Sequence, residues 1–142
     1  MAKNKKIGEF SLMLLRLILG FTFMYHGYLK LFVSGNLPSL ASNFSKMGIP
    51  LANVSAVAVA VTEFAGGMLL IMGFLTRFAS LALIFEMLVA FFKVHLKNGF
   101  LITSKSYGYE FILLILVCLF VVLLNGPGML SLGKMFKGKS LV

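Results

Sequence analysis

Residues Phe10–Phe32 read FSLMLLRLILGFTFMYHGYLKLF, an apolar run with one arginine, Arg16, well inside it. As a helix this stretch rises about 34 Å, and the hydrocarbon core of a bilayer is about 30 Å thick. An arginine at the centre of such a helix costs roughly 2.5–3.5 kcal/mol to insert, so it needs internal partners. Three more runs follow: Val54–Phe74, Phe78–Leu96 and Tyr109–Leu124, carrying Glu63, Glu86 and Glu110 respectively. Four apolar runs with ionisable residues inside them predict an all-α, polytopic membrane protein, a bundle of four transmembrane helices.

Composition points the same way. The chain has 142 residues, of which 60% are hydrophobic and only 12% charged. Too few charged residues remain to clothe a soluble domain of this size. Residues 1–142 are expected to form one membrane domain, in contact with the lipid bilayer. The formal charge of +9 is explained by lysines at span ends rather than by nucleic acid, which is not expected as a partner. Lys3, Lys5, Lys6, Arg77, Lys134, Lys137 and Lys139 fall on one side of a four-span topology. Lys46, Lys97 and Lys105 fall on the other, with Lys30 and Lys93 at its boundary. This bias predicts both termini in the cytoplasm. The first span holds Arg16 and lacks a small-residue cleavage site, so it is read as retained rather than as a signal peptide. Cys118 is the single cysteine, so no intrachain disulfide or CxxC pair is available, and a buried apolar role is expected for it.

The connections carry their own signals. Between Val33 and Asn53, residues Leu37, Leu40, Phe44 and Met47 recur at helical spacing, with Ser39, Ser42, Asn43 and Lys46 between them. That pattern predicts a short interfacial helix between spans one and two, ended by Gly48, with Pro50 placed to open the next helix. The turn around Gly73 to Arg77 is tight, which makes spans two and three antiparallel neighbours. Asn98-Gly99 and Ser104-Lys105-Ser106 are loop chemistry, and Asn125-Gly126-Pro127-Gly128 stops the last span before a short basic tail.

Helical spacing assigns the charges to faces. In span one Arg16, Gly20, Phe23, Gly27 and Lys30 share a face; in span two Val59, Glu63, Gly66, Leu70, Gly73 and Arg77 do. Span three gives Ala79, Ala82, Glu86, Ala90, Lys93 and Lys97, and span four gives Tyr107, Glu110, Leu114, Val117 and Val121. Charges that share a face with Gly or Ala are expected inside the bundle, where close helix approach is possible. Depth then predicts two groups: an inner one of Arg16 with Glu86 or Glu63, and an outer one of Lys30 with Glu110. Such pairs offset insertion cost, and they serve equally well as a device for fixing helix register.

The candidate polar cluster is Arg16, Tyr25, His26, Lys30, Glu63, Glu86, His95 and Glu110. His26, Tyr25, Lys30 and Glu110 suit a quinone headgroup, whose carbonyls accept hydrogen bonds while its tail stays in lipid. His26 and His95 are the minimum for bis-His haem ligation, but no other haem signal accompanies them, and a haem is not expected. No His or carboxylate pair has metal-ligand spacing, so no metal site is expected. A nucleophilic triad, a phosphate loop and a dinucleotide fingerprint are all missing from the sequence.

Taken in order, the chain resembles the DoxX family of small four-helix membrane proteins. The landmarks are Arg16-Leu17-Ile18-Leu19-Gly20, His26-Gly27-Tyr28-Leu29-Lys30-Leu31-Phe32, Gly48-Ile49-Pro50, Glu63-Phe64-Ala65-Gly66-Gly67 and Gly73-Phe74-Leu75-Thr76-Arg77. Val94-His95, Gly99-Phe100, Tyr109-Glu110 and Gly126-Pro127-Gly128-Met129-Leu130-Ser131-Leu132 complete the set. Many members follow the last Ser-Leu with an aspartate, where this chain has Gly133. The resemblance implies a protein of the plasma (inner) membrane of a bacterium or archaeon that takes part in a membrane redox system. Some related proteins belong to a thiosulfate:quinone oxidoreductase, and others are associated with oxidative or thiol stress. The leading expectation is therefore an accessory or quinone-linked component working with a redox partner protein, a membrane oxidoreductase subunit if it is an enzyme. A non-catalytic scaffold comes second. A small-molecule or proton carrier using buried Arg and Glu comes third, and it needs a homo-oligomer to find room for alternating access.

Overall fold

The computed structural model describes residues 2–103 and 108–133, with side chains from Asn4 onward. The Lys3 side chain, residues 104–107 with the expected turn at Ser104-Lys105-Ser106 and with Tyr107, and the basic tail lie outside the described residues. Among the described residues five α-helices follow one another: α1 (Ala2–Phe32), α2 (Asn36–Lys46), α3 (Ala52–Met72), α4 (Thr76–Ala90) and α5 (Glu110–Asn125). α4 runs on through a π turn, Phe91–His95, and a 3-10 turn, Leu96–Asn98. Asn4–Phe32, Ala52–Met72 and Thr76–Asn98 are long and apolar enough to cross a membrane, and Glu110–Asn125 is a shorter apolar helix.

The fold is a helical bundle in which α1 packs chiefly on α3, α3 on α4, and α4 on α5, with α2 lying across α3. Its centre is apolar: Leu19 and Phe23 of α1, Leu70 of α3, Leu83 of α4, and Leu119 and Val122 of α5 form one contiguous cluster. Lipid tails are as apolar as these side chains, so association in a membrane rests on close packing and polar contacts. Glycines provide the closeness. A Cβ at Gly20 would lie 2.8 Å from the Gly67 carbonyl oxygen, and one at Gly67 would lie 2.6 Å from that of Gly20. The two backbones are therefore in direct contact where α1 crosses α3.

α2 forms as expected. Leu37, Leu40, Phe44 and Met47 are half-buried, Ala41 is buried, and Ser39, Ser42, Asn43 and Lys46 are exposed. Gly48 ends it at φ 68°, with Ile49 N–H donating to the Phe44 carbonyl at 3.0 Å and Gly48 N–H to that of Ser45 at 3.1 Å. Only glycine adopts that left-handed conformation without strain, which is why the stop falls there. α3 opens two residues later than Pro50 suggested, at Ala52, with Leu51, at φ 50°, as its N-cap. The turn from α3 to α4 repeats the device, with Gly73 at φ 67° and Phe74 N–H donating to the Leu69 carbonyl at 3.1 Å.

Two predicted faces need correction. On α4 the buried residues are Thr76, Ala79, Ser80, Leu83 and Ile84, while Glu86 is only half-buried and Lys93 and Lys97 are exposed. On α5 the buried residues are Ile112, Ile115, Leu116, Leu119 and Val122, whereas Leu114 and Val117 point outward. Spacing counted from Glu110 selects the wrong face because Glu110 is the first residue of the helix and is held by the preceding loop.

Candidate functional site

The crossing of α1 and α3 determines which charges meet. The two helices run antiparallel, so that Gly20 lies against Gly67 and Ile71, and Gly27 against Phe64. Three residues beyond Gly27 comes Lys30; one residue before Phe64 comes Glu63. Lys30 Nζ and Glu63 Oε2 accordingly form a salt bridge. Glu86, from α4, completes the group by electrostatic interaction with both Glu63 and Lys30. Glu63 is almost wholly enclosed, its side chain 5% exposed, while that of Lys30 is 25% exposed. Glu86 Oε2 is buried and has no hydrogen-bond partner. The cluster thus sets a second acid, Glu86, beside a salt-bridged lysine and glutamate inside an apolar bundle.

This replaces both predicted pairings. Lys30 takes Glu63, not Glu110, because the glycine contacts set α1 and α3 at an offset that helical spacing within one helix does not reveal. Arg16 takes neither Glu63 nor Glu86. Its guanidinium donates to four backbone carbonyls: Leu70 at 2.9 Å, Ile71 at 3.0 Å, Met129 at 3.2 Å and Leu130 at 3.0 Å. Leu70 and Ile71 belong to the last turn of α3, whose carbonyls carry the negative end of the helix dipole; that of Leu70 also accepts from Gly73 N–H at 3.1 Å. Met129 and Leu130 belong to the segment after α5. Arg16 is 1% exposed, and room for its head exists because Gly73 has no side chain: a Cβ there would lie 2.9 Å from Arg16 Cζ. Nearby, Met129 N–H donates to the Glu9 carbonyl at 3.1 Å and Gly133 N–H to that of Gly73 at 3.2 Å. Arg16 is a clamp that joins α1, the end of α3 and the chain after α5.

The remaining candidates are dispersed. Tyr25 and His26 lie on the exposed side of α1, opposite Gly27, with Tyr25 stacked on Phe21 at 6.3 Å. His95 sits in the π turn, its Nδ1 3.3 Å from the Gly108 carbonyl oxygen. Glu110 Oε1 accepts from Ile102 N–H at 2.8 Å. Around it Phe91, Phe100 and Tyr109 pack edge to face, with centroids 5.5 Å and 5.4 Å apart. This corner anchors the loop that follows α4. Of the eight candidate residues the fold assembles Lys30, Glu63 and Glu86, and it gives Arg16 a separate site. The four carbonyls around Arg16 were not legible in the sequence, because any residue supplies a carbonyl; Gly73 and the Gly126-Pro127-Gly128 stop were the available signals. Among the described residues no three or more His, Cys, Asp or Glu side chains group together as a metal site would require.

A bundle of apolar helices with interior charges defines a small polytopic membrane protein. The chain belongs to the DoxX family, whose model matches residues 11–96. It is 30% identical over 135 residues to an uncharacterized membrane protein of Mycobacterium tuberculosis, covering 89% of this chain and 82% of that one. It is also 36% identical over 69 residues to an uncharacterized protein of Haemophilus influenzae, covering 49% of this chain and 44% of that one. No solved structure matches it significantly.

Proposed function

We propose that this protein is an accessory component of a membrane redox system that holds and exchanges a proton at Lys30, Glu63 and Glu86, beside a quinone-type substrate. The observation that supports this reading is a buried Glu86 carboxyl oxygen without a hydrogen-bond partner, beside the Lys30–Glu63 salt bridge and inside an apolar bundle. Ionisable groups in membrane helices are costly, and proton handling is one of the functions that repays them. Reduction of a quinone to a quinol takes up two electrons and two protons; a partner protein supplies the electrons, and the cluster relays protons. A headgroup docked at the bundle edge near Lys30 would keep its tail in lipid and receive hydrogen bonds from a cation.

The test is infrared difference spectroscopy of the full-length protein in nanodiscs, with and without an added short-chain quinone. A protonated-carboxyl band that vanishes in Glu86→Gln, and shifts when quinone is added, is the expected result. A wild-type protein without such a band across the accessible pH range defeats the reading. The scaffold reading keeps one observation in its favour: Arg16 uses four hydrogen bonds on backbone alone, a purely architectural use of a charge.

A further inference from the structure

We infer that the Lys30–Glu63–Glu86 cluster exchanges protons with one aqueous phase only, the one on the α2 side of the bundle, and is closed to the other. The inference rests on the proton-holding reading above and adds its direction. Lys30 stands two residues from the end of α1 at Phe32, about 3 Å of helix rise. Its partly exposed head is therefore at the membrane boundary, reached by a flexible stem of the kind that lets lysines span an interface. Glu63, nearly enclosed, meets the outside through Lys30.

On the opposite side the way is blocked. Phe23, Leu70, Leu83, Leu119 and Val122, each no more than 3% exposed, fill the bundle between the cluster and Arg16. Gly66 draws Leu83 in until a Cβ there would lie 3.3 Å from its side chain. Ser80 is the polar side chain buried in this layer, and its Oγ has no hydrogen-bond partner. It lies about 9 Å of helix rise from Glu86, beyond direct proton transfer. Below that, Arg16 places a fixed positive charge across the exit, about 21 Å of rise from Lys30, and a cation opposes passage of another. The charged groups facing the cluster are its own: Lys30 from α1, Glu63 from α3 and Glu86 from α4. α2 contributes Lys46, which is exposed, and α5 contributes Glu110, which is turned to Ile102. A site built this way serves chemistry on one face and does not conduct.

The experiment uses full-length protein in sealed liposomes, with orientation read from trypsin cleavage at Lys5 and Lys6. Dicyclohexylcarbodiimide, which enters membranes, reacts with a protonated carboxyl group: the acid O–H adds across one C=N bond, and the acylisourea rearranges to a stable acylurea. Peptide mass spectrometry locates the adduct, and Glu86→Gln and Glu63→Gln assign it. The pH inside and outside is set independently. Labelling is expected to fall about tenfold per pH unit once the α2-side phase passes the midpoint of the group, and to ignore the other phase. Proton leak should equal that of protein-free liposomes. Labelling that follows the opposite phase or both phases, or a leak abolished by Glu63→Gln, overturns the sidedness and leaves the proton site standing. An absence of adduct at every pH removes the proton-holding reading itself.

Discussion

Gly27 of α1 and Phe64 of α3 are in backbone contact, with no space between them for even a methyl group. This contact sets the helix offset that delivers Lys30 to Glu63. Gly27→Leu must therefore push the helices apart. Overpacking a tight contact costs about 1–3 kcal/mol, and here the salt bridge would be strained as well. Thermal unfolding in mild detergent should show a clear drop for Gly27→Leu and little change for Gly8→Leu, where a Cβ meets nothing within 4 Å. Equal behaviour of the two variants would contradict the contact.

Arg16→Leu takes the guanidinium donors from the Ile71, Met129 and Leu130 carbonyls and leaves that of Leu70 with the Gly73 amide alone. Each buried unsatisfied group costs about 1–3 kcal/mol, so the variant should fail to accumulate as folded protein. Arg16→Lys keeps the charge but not the planar fork, and it should fold with reduced stability. The relevant measurements are yield in the membrane fraction and resistance to SDS. A fully stable Arg16→Leu would refute the clamp.

Lys30 and Glu63 should be energetically coupled. Lys30→Met strands a carboxylate, and Glu63→Gln strands an ammonium, whereas the double variant removes both charges. Breaking a buried pair typically costs about 3–5 kcal/mol, while replacing both partners is often near neutral. A double-mutant cycle on unfolding should give a double variant more stable than Lys30→Met alone. Simple additivity would mean that the two side chains do not meet in solution.

Much of this arrangement is legible in the sequence. The α1 face that carries Arg16, Gly20, Phe23, Gly27 and Lys30 is the face that packs, because small residues at helical spacing leave a distinct groove. The amphipathic α2 and its Gly48 stop were equally plain. Pairings across helices were not, since spacing within one helix gives a face but no vertical offset to its neighbour. Only the glycine contacts fix that offset. The partners of Arg16 escaped for a different reason: they are main-chain oxygens. α5 is apolar on every side, so its inward face could not be read from pattern, and Glu110 misled as a reference point.

Glu110→Ala should loosen the loop after α4. Its carboxylate holds the Ile102 amide, while the Tyr109 and Glu110 amides donate to the Gly99 and Phe100 carbonyls at 3.1 Å and 3.0 Å. Hydrogen exchange at Ile102 should quicken in Glu110→Ala, with partial protection kept in Glu110→Gln. Losing one such charge-assisted bond is worth about 1.5–3 kcal/mol. Unchanged exchange would show that the backbone bonds alone order the loop.

α5 has 16 residues, a rise of about 24 Å where lipid tails span about 30 Å. The shortfall creates hydrophobic mismatch along one edge of the molecule. Lipids there must compress, at a fraction of a kcal/mol per Å, and the protein should favour thin bilayers and gather short-chain lipids around that edge.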